Sequence, residues 1–359
     1  MQVTSLELKN FRCFAQRTIE FDSPLVLIEG SNGSGKTSIL EALHYLCYVR
    51  SFRTHLPGTL VRQGDNSFFL KATFTENDSL LAHELQIGLC GKRRSVKLNQ
   101  RPVASYKELM DHYRVVTLTE DDLGFIKGGP DGRRSFIDQA IMLQSCSYAK
   151  LVLEARKIVD QRTSLLQRGK YSAELYRLWT LQLWEKTKQI QLMRKEMLAA
   201  FEKSINKMLA DIFGQSPGFS LRYAPKKNAD FASGEEFIER YPTLEHDEQM
   251  YGYSLFGPHL DDIHILLQEA ASRLFASRGQ QKLLVLLLKI AHMLELKKQK
   301  GKAILLIDDF MTDFDSERAE KCLSLLTALD CQLIFTSPVG FGALSEHIVR
   351  LGGKRVCLT

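Results

Sequence analysis

The sequence predicts an α/β fold that is built on a phosphate-binding loop and interrupted by a helical insertion. The first signal is GSNGSGKT at residues 30–37, which fits G-x-x-x-x-G-K-[ST] between an apolar strand and a run of helix formers. The second is ILLIDD at residues 304–309, an apolar strand typical of a covered parallel sheet that ends in two acids. The third is the stretch 134–213, where apolar residues recur at helical spacing with almost no strand signal.

The composition narrows the class of protein. A length of 359 residues suggests two or three domains, and the net charge of +6 permits nucleic-acid binding without establishing it. The seven cysteines form no C-x-x-C pair, which indicates reduced thiols rather than disulfides or a zinc site. No export signal and no run of 18 apolar residues is visible, so we expect a cytoplasmic protein without a membrane partner.

The N-terminal part of the predicted α/β domain covers residues 1–135. It should contain alternating strands, one helix after the loop, and a β-meander that forms an antiparallel subdomain beside a mixed sheet. The predicted elements are strands at 3–8, 18–21 and 25–28, a helix at 37–48, meander strands at 68–74, 83–89 and 95–98 with turns at 77–78 and 91–92, and a strand at 115–118.

A helical lobe is predicted over residues 136–253, and the C-terminal part of the α/β domain over 254–359. The lobe should hold two or three long amphipathic helices, followed from residue 214 by loops around one short strand. The remaining predicted elements are strands at 219–223, 263–267, 304–307 and 332–335, and helices at 280–296 and 317–329.

Nucleotide binding is predicted for the glycine-rich loop. Its glycines allow backbone conformations in which successive N–H groups converge on phosphates, and the following helix N-terminus adds its dipole. Lys36 supplies a positive charge, and the Thr37 hydroxyl is suited to Mg²⁺. The expected nucleotide contacts are Gly30, Ser31, Asn32, Gly33, Ser34, Gly35, Lys36, Thr37 and Ser38.

Two catalytic acids are predicted at the end of the strand 304–307. Asp308 would hold Mg²⁺ together with Thr37, and Asp309 would position or deprotonate the water that attacks a γ-phosphate. Asp309 is a weak base and is one methylene shorter than glutamate. We therefore expect hydrolysis to be slow.

A second anion site is predicted at the start of the helix 280–296. Ser277, Arg278, Gly279 and Gln280 place a serine hydroxyl, a glycine N–H and a helix N-terminus together. One nucleotide does not need two such sites from one chain, so this one would close over a nucleotide held by another subunit. The alternative is an ordinary helix N-cap formed by the serine.

The order of these motifs resembles an ABC-type ATPase head like those of SMC-like proteins, and the finer pattern resembles the RecF family of bacterial recombination mediators. The similar stretches are LELKNFRCF (6–14), NGSGKTSILEALHYL (32–46), RSFRT (50–54), EDDLGFIKGGPDGRRSFID (120–138), GPHLDDI (257–263) and FASRGQQ (275–281). They extend over nearly the whole chain. Thr119, Thr163 and Leu260 depart from the family pattern.

The resemblance implies an ATP- and Mg²⁺-dependent homodimer that grips duplex or gapped DNA and hydrolyses ATP weakly. It implies RecR as a partner, with RecO and RecA, in recombinational repair, fork maintenance and the SOS response. It places a D-loop at 312–315, where Asp315 would contact the opposite subunit, and a switch position at Thr336, or at Ser337. A Q-loop is placed only by region, at 120–122.

DNA contacts are expected from basic clusters, because lysine and arginine neutralise phosphates without sequence preference. Each of these arginines is alternatively an ordinary solvated side chain. The candidates are Arg53, Arg93, Arg94, Arg133 and Arg134.

Other SMC-like or ABC-type ATPases with different partners remain alternatives. A transporter subunit would carry a catalytic glutamate and a switch histidine, which this sequence replaces with Asp309 and a hydroxyl residue. A long coiled-coil arm would need more than the stretch 139–213 provides. The motifs therefore favour the recombination mediators.

Overall fold

The computed structural model describes residues 1–76, 79–167, 172–214, 218–301, 303–314, 316–339 and 342–358. The chain divides into two compact units. The first unit comprises residues 1–122 and 292–359, and the second unit comprises residues 123–291. The sequence predicts domain boundaries at 135/136 and 253/254 from the order of the motifs. The two units are defined by packing instead, so these domain boundaries stay a prediction.

The elements follow one another in chain order. The strands are β1 (Gln2–Phe11), β2 (Phe14–Glu20), β3 (Leu25–Gly30), β4 (Ser67–Glu76), β5 (Ser79–Cys90), β6 (Arg93–Leu98), β7 (Arg101–Pro102), β8 (Val115–Leu118), β9 (Phe219–Ala224), β10 (Asp262–Leu267), β11 (Ala270–Ala271), β12 (Ile304–Ile307), β13 (Gln332–Pro338) and β14 (Lys354–Leu358). The helices are α1 (Lys36–Tyr48), α2 (Tyr106–His112), α3 (Gly124–Lys127), α4 (Pro130–Gln144), α5 (Cys146–Gln167), α6 (Ala173–Phe213), α7 (Gly234–Arg240), α8 (Leu244–Tyr251), α9 (Ser272–Phe275), α10 (Arg278–Lys300), α11 (Ser316–Thr327) and α12 (Gly342–Arg350).

The first unit contains a six-stranded antiparallel sheet in the order β2-β1-β4-β5-β6-β7. Apolar side chains alternate along β5, where Leu85, Ile87 and Leu89 are buried on one face, so one face of the sheet covers the core beside α1. This arrangement confirms the meander strands and the turn at 91–92. The turn predicted at 77–78 lies outside the described residues.

A five-stranded sheet in the order β14-β3-β13-β12-β8 completes the first unit. A mixed sheet was expected, but all four pairings described here are parallel, and the antiparallel pairs of this unit lie in the other sheet. The carboxyl ends of β3, β12 and β13 therefore meet at one edge of the sheet. That edge is where ligands bind in sheets of this type.

One buried side chain links the two sheets of the first unit. The Gln332 amide on β13 donates to the carbonyl of Val3 at 2.9 Å, and its oxygen accepts from the Val3 N–H at 2.7 Å. The side chain thus completes backbone hydrogen bonding at the start of β1. It ties the outer subdomain to the central strand of the parallel sheet.

The second unit is mainly helical, as predicted, and adds a small antiparallel sheet in the order β11-β10-β9. The prediction of loops between residues 225 and 253 is wrong, because α7 and α8 occupy most of that stretch. Ser233 caps α7 by accepting from the Glu236 N–H at 3.2 Å, and two acids lie in the first turn. Helices of seven and eight residues are too short to show a clear period in the sequence.

Buried ion pairs hold the helices of the second unit together. Arg162 on α5 and Glu248 on α8 are both fully buried, and their charged groups lie 2.7 Å apart. Arg194 on α6 makes two bonds of 2.8 Å to Asp138 on α4. These pairs join α5 to α8 and α6 to α4.

The structure also bears on two expectations about the whole chain. All seven cysteines are free thiols in the described structure. Within the residues that the structure describes, we find no helix with the length and apolarity that membrane crossing requires.

Candidate nucleotide-binding site

The glycine-rich loop lies between β3 and α1 and turns through two left-handed residues. Gly33 has φ +87° and Gly35 has φ +97°, a region that side chains with a β-carbon rarely adopt. A β-carbon at Gly35 would also lie 2.5 Å from Phe14 and 2.6 Å from the Cys13 sulfur. Gly35 is therefore required both for the turn and for the close approach of the β1–β2 hairpin.

The Lys36 side chain is held by backbone carbonyls of the phosphate-binding loop. Its buried ammonium group donates to the carbonyls of Gly30 and Ser31 at 3.0 and 3.3 Å, and it lies 3.8 Å from the Asp309 carboxylate. The Ser34 hydroxyl in the same loop is buried and has no hydrogen-bond partner among the described residues. A cation whose hydrogen bonds go to carbonyls, beside an unsatisfied hydroxyl, fits an anionic ligand such as a phosphate.

Asp308 lies at the end of β12 and accepts hydrogen bonds from two hydroxyl groups. Thr37 from α1 donates to it at 3.0 Å, and Thr336 from β13 donates at 2.8 Å. Burial raises the pKa of this carboxyl, although the two hydrogen bonds act in the opposite direction. The parallel register brings the three residues together from three neighbouring strand ends.

Asp309 adopts a left-handed conformation, with φ +47° and ψ +16°. Its N–H donates to the Thr336 hydroxyl at 2.8 Å, and its carboxylate accepts from the same hydroxyl at 3.1 Å. The carboxylate is one-third exposed, which leaves it accessible to a water molecule. Thr336 therefore contacts both acids, and its role as a switch residue stays a prediction.

The oxygen atoms of Thr37 and Asp308 are the donors that Mg²⁺ prefers. Within the described residues there is no cluster of three or more histidine, cysteine, aspartate or glutamate side chains that would hold a metal alone. Mg²⁺ usually keeps several waters and shares its remaining positions with substrate phosphates. The two protein oxygens therefore fit an ion that enters together with a nucleotide.

Glu41 is a buried acid of this region that the sequence interpretation missed. It is fully buried on α1 and accepts two hydrogen bonds from Arg12, at 2.8 and 2.7 Å, and one from Ser51 at 2.5 Å. The Arg53 guanidinium lies 3.5 Å away. Its signal in the sequence is its place as the single acid of this helix, with apolar residues on both sides of it.

The four signature residues lie in the second unit, where α10 begins. The Ser277 N–H donates to the Gln280 side chain at 2.8 Å, and the Gln280 N–H donates to the Ser277 hydroxyl at 3.3 Å. This reciprocal capping box is the ordinary N-cap that the sequence left open as an alternative. Contact with a second subunit remains a prediction, and Asp315 lies outside the described residues.

The five arginines expected to contact DNA differ in their surroundings. Arg133 is buried and donates two hydrogen bonds, at 2.7 and 2.9 Å, to the Asp262 carboxylate. Arg134 donates to the Asp131 carboxylate and to the backbone carbonyl of Asp261. Arg94 lies 5.7 Å from the Tyr45 ring. Arg93 is exposed, and 44% of the Arg53 side chain is accessible.

Comparisons with known proteins agree on one family. A family model described as an AAA domain matches residues 5–323. The chain is 30% identical to the DNA replication and repair protein RecF of Desulfitobacterium hafniense, covering 94% of this chain and 93% of that protein. It is 31% identical to the protein of the same name from Leptospira interrogans, covering 94% and 92%.

Solved structures show the same relationship. The recombination mediator protein RecF with ATP, of the RecFOR pathway, superposes with a TM-score of 0.82 at 26% identity, covering 94% of this chain and 92% of that one. The Smc head domain from Pyrococcus furiosus gives a TM-score of 0.55 at 18% identity, covering 96% and 91%. The second match shows a shared ATPase-head fold.

Proposed function

The chain belongs to the RecF family, and we propose that it is an ATP-dependent DNA-binding protein that dimerises around ATP on duplex or gapped DNA. The proposal rests on the convergence of Lys36, Thr37, Asp308 and Thr336 at one edge of the parallel sheet. Related proteins are named for DNA replication and repair, and one is a recombination mediator with ATP. We extend both properties to this chain.

The residues of the site divide the chemistry among them. Lys36 balances the charge of the terminal phosphates, and Thr37 with Asp308 would hold Mg²⁺, which neutralises the charge that develops during phosphoryl transfer. Asp309 accepts a hydrogen bond from the attacking water and takes its proton. The Thr336 hydroxyl fixes the orientation of Asp308 and Asp309 through bonds of 2.8 and 3.1 Å.

Hydrolysis is proposed to be weak and stimulated by DNA. The backbone of Asp309, the candidate base, is fixed in a left-handed turn. Its carboxylate accepts from the Thr336 hydroxyl, which also donates to Asp308. A short side chain in a fixed turn reaches less far than glutamate would. We therefore expect turnover below about 1 s⁻¹, the low end of ordinary enzyme rates.

The ATP-dependent dimer is proposed to place Ser277, Arg278, Gly279 and Gln280 of one subunit over the nucleotide of the other. The Asp315 of the D-loop is assigned to the same interface. If ATP binds the dimer more tightly than it binds the separated subunits, thermodynamic linkage makes ATP drive dimerisation. Hydrolysis then releases the dimer.

DNA contact is proposed to come first from Arg53 and Arg93, whose side chains are accessible. Arg94, Arg133 and Arg134 were expected to contribute as well, but the ion pairs of the latter two support a role within the second unit. We propose RecR as a direct partner, with RecO and RecA in the same cytoplasmic repair pathway. RecA loading, fork maintenance and SOS induction are the processes served.

The test measures particle mass by sedimentation, without nucleotide, with ATP, and with ATP plus gapped DNA. Wild-type protein should dimerise with ATP, and Lys36→Arg and Ser277→Arg should each reduce that response. A chain that stays monomeric with ATP and ignores gapped DNA would contradict the proposal. ATP-driven dimerisation without DNA binding would instead favour another SMC-like or ABC-type ATPase with a different partner.

A further inference from the structure

The proposed mechanism leaves the buried carboxylate of Glu41 without a role. Full burial of a charge is unfavourable unless its partners satisfy it, and Glu41 has two hydrogen bonds from Arg12 and one from Ser51. These donors come from two stretches that the sequence analysis singled out, residues 6–14 and 50–54. Both stretches therefore meet at one side chain of the helix that follows the phosphate-binding loop.

The β1–β2 hairpin contacts this helix at two separate places. At the first, Cys13 and Phe14 lie against Gly35, the residue that caps α1. At the second, Arg12 pairs with Glu41, six residues further along, which corresponds to about 9 Å of helix. Two contacts at that spacing fix the direction of the hairpin tip relative to the loop.

The backbone of the hairpin tip depends on these contacts. Arg12 has φ +54°, a left-handed conformation that costs a residue with a β-carbon about 1 kcal/mol or more. Arg12 also donates from its backbone N–H to Leu60 at 2.8 Å and from its guanidinium to Thr59 at 2.9 Å. The guanidinium therefore connects the hairpin tip to Thr59, which follows α1, and to Glu41 on α1.

We propose that Glu41 is a positioning residue of the nucleotide site. Its carboxylate holds Arg12, and thereby the hairpin tip, against Gly35, so that Lys36 and Thr37 start the helix in the orientation that binds phosphate. The inference rests on the proposed function, since it takes a nucleotide to be the ligand of the loop. It adds a residue that touches neither phosphate nor Mg²⁺.

The test compares Glu41→Gln with Glu248→Gln. Both glutamates are fully buried, and both pair with an arginine at 2.7 Å, but Glu248 belongs to the second unit. Three quantities are measured on the full chain: the Kd for a fluorescent ATP analogue, the midpoint of urea unfolding, and the rate at which N-ethylmaleimide alkylates Cys13, followed by peptide mass mapping. Cys13 is exposed and lies beside Gly35, so it reports on the hairpin tip.

Glu41→Gln should raise the Kd about tenfold and change the rate of Cys13 alkylation, while Glu248→Gln should lower the unfolding midpoint and leave both values unchanged. In the double variant Arg12→Gln with Glu41→Gln, the effects on the Kd should be clearly less than additive. Such coupling in nucleotide affinity would not arise from a purely stabilising pair.

An unchanged Kd in Glu41→Gln, or equal changes in Glu41→Gln and Glu248→Gln, would overturn the inference. If Glu41→Gln does not fold, Ser51→Ala removes one hydrogen bond and keeps the ion pair, and it should raise the Kd about two- to threefold. No change in Ser51→Ala would then count against the inference. Failure of wild-type protein to bind the analogue would instead contradict the proposed function.

Discussion

The buried charges around Arg162 in the second unit and around Lys36 in the first unit are satisfied differently. In the second unit, Arg162 and Glu248 are fully buried at 2.7 Å, and Tyr176 and Ser254 bond the same two groups. In the first unit, the Lys36 ammonium group lies 3.8 Å from the Asp309 carboxylate. Its two hydrogen bonds go to backbone carbonyls. Arg162 is thus paired with an opposite charge, whereas Lys36 makes its hydrogen bonds to neutral carbonyls.

The difference separates structural charges from ligand-binding charges. Around Arg162 the opposite charges are already paired, and removing one member leaves a buried charge unpaired. In the phosphate-binding loop, a cation with neutral acceptors and the unsatisfied Ser34 hydroxyl gain a partner when an anion arrives. Five predictions test this comparison.

Arg162→Ala should have the largest effect on stability. It leaves Glu248 without its charge partner in a fully buried position, which costs about 3 to 5 kcal/mol of unfolding free energy. Urea unfolding followed by far-UV circular dichroism measures the loss. Nucleotide affinity at low temperature should stay near the wild-type value. If Arg162→Ala were as stable as the wild type, Arg162 would not be a structural charge.

Lys36→Ala should show the opposite behaviour. Loss of the ammonium group should weaken ATP binding by about 2 to 3 kcal/mol, or 30- to 150-fold, with less than about 1 kcal/mol change in stability. Isothermal titration with ATP measures the affinity, and Lys188→Ala, at a partly exposed lysine of the second unit, is the control. Affinity within twofold of wild type would show that Lys36 is a structural charge.

Thr336→Val removes the hydroxyl that bonds both Asp308 and Asp309 and keeps the shape of the side chain. We expect ATP turnover to fall about 10- to 100-fold, because neither acid is then held in place, while the Kd for ATP changes less than fivefold. Phosphate release measures turnover. A parallel loss of affinity and turnover would show that Thr336 organises binding rather than catalysis.

Asp309→Asn and Asp309→Ala form a matched pair. Asparagine tolerates the left-handed backbone of this position, whereas alanine should lose about 1 kcal/mol of stability there. Both variants should lose hydrolysis, because the base is gone, and both should keep ATP-driven dimerisation. Continued turnover by Asp309→Asn would exclude Asp309 as the base.

Arg93→Gln and Arg133→Gln should produce the smallest and most specific difference. Arg93→Gln should weaken DNA binding by less than about 1 kcal/mol and reduce the salt dependence by about one counterion, without loss of stability. Arg133→Gln should reduce stability, because Asp262 loses its two bonds. Fluorescence anisotropy at several salt concentrations measures the first effect. Equal salt slopes for wild type and Arg93→Gln would remove Arg93 from the DNA contact surface.

The sequence was sufficient for the parts that depend on local pattern. The loop, α1, β12 and the meander strands each have a strong period or motif, and the acids follow the strand that the apolar run predicted. The closeness of Thr37 and Asp308 was also expected, since both were assigned to one Mg²⁺. The contacts of Thr336 with both acids were not predicted, since they depend on side-chain orientation.

Other features depend on partners that are distant in sequence. Glu41 pairs with a residue 29 positions earlier, and Arg162 pairs with one 86 positions later, so the local sequence identifies neither partner. Strand β14 was missed because its few apolar residues alternate with lysine, arginine and cysteine at a sheet edge. In each case tertiary contacts decide the structure.

The strand order of the parallel sheet has a consequence for how the protein is made. The central strands β3 and β13 are separated by about 300 residues, and β14 at the edge is formed by residues 354–358. The phosphate-binding loop therefore leaves the ribosome long before the strands that support it. The second unit, by contrast, is one continuous stretch that can fold during synthesis. We expect nucleotide binding to appear only after the last strand is released, as a late and slow step of folding.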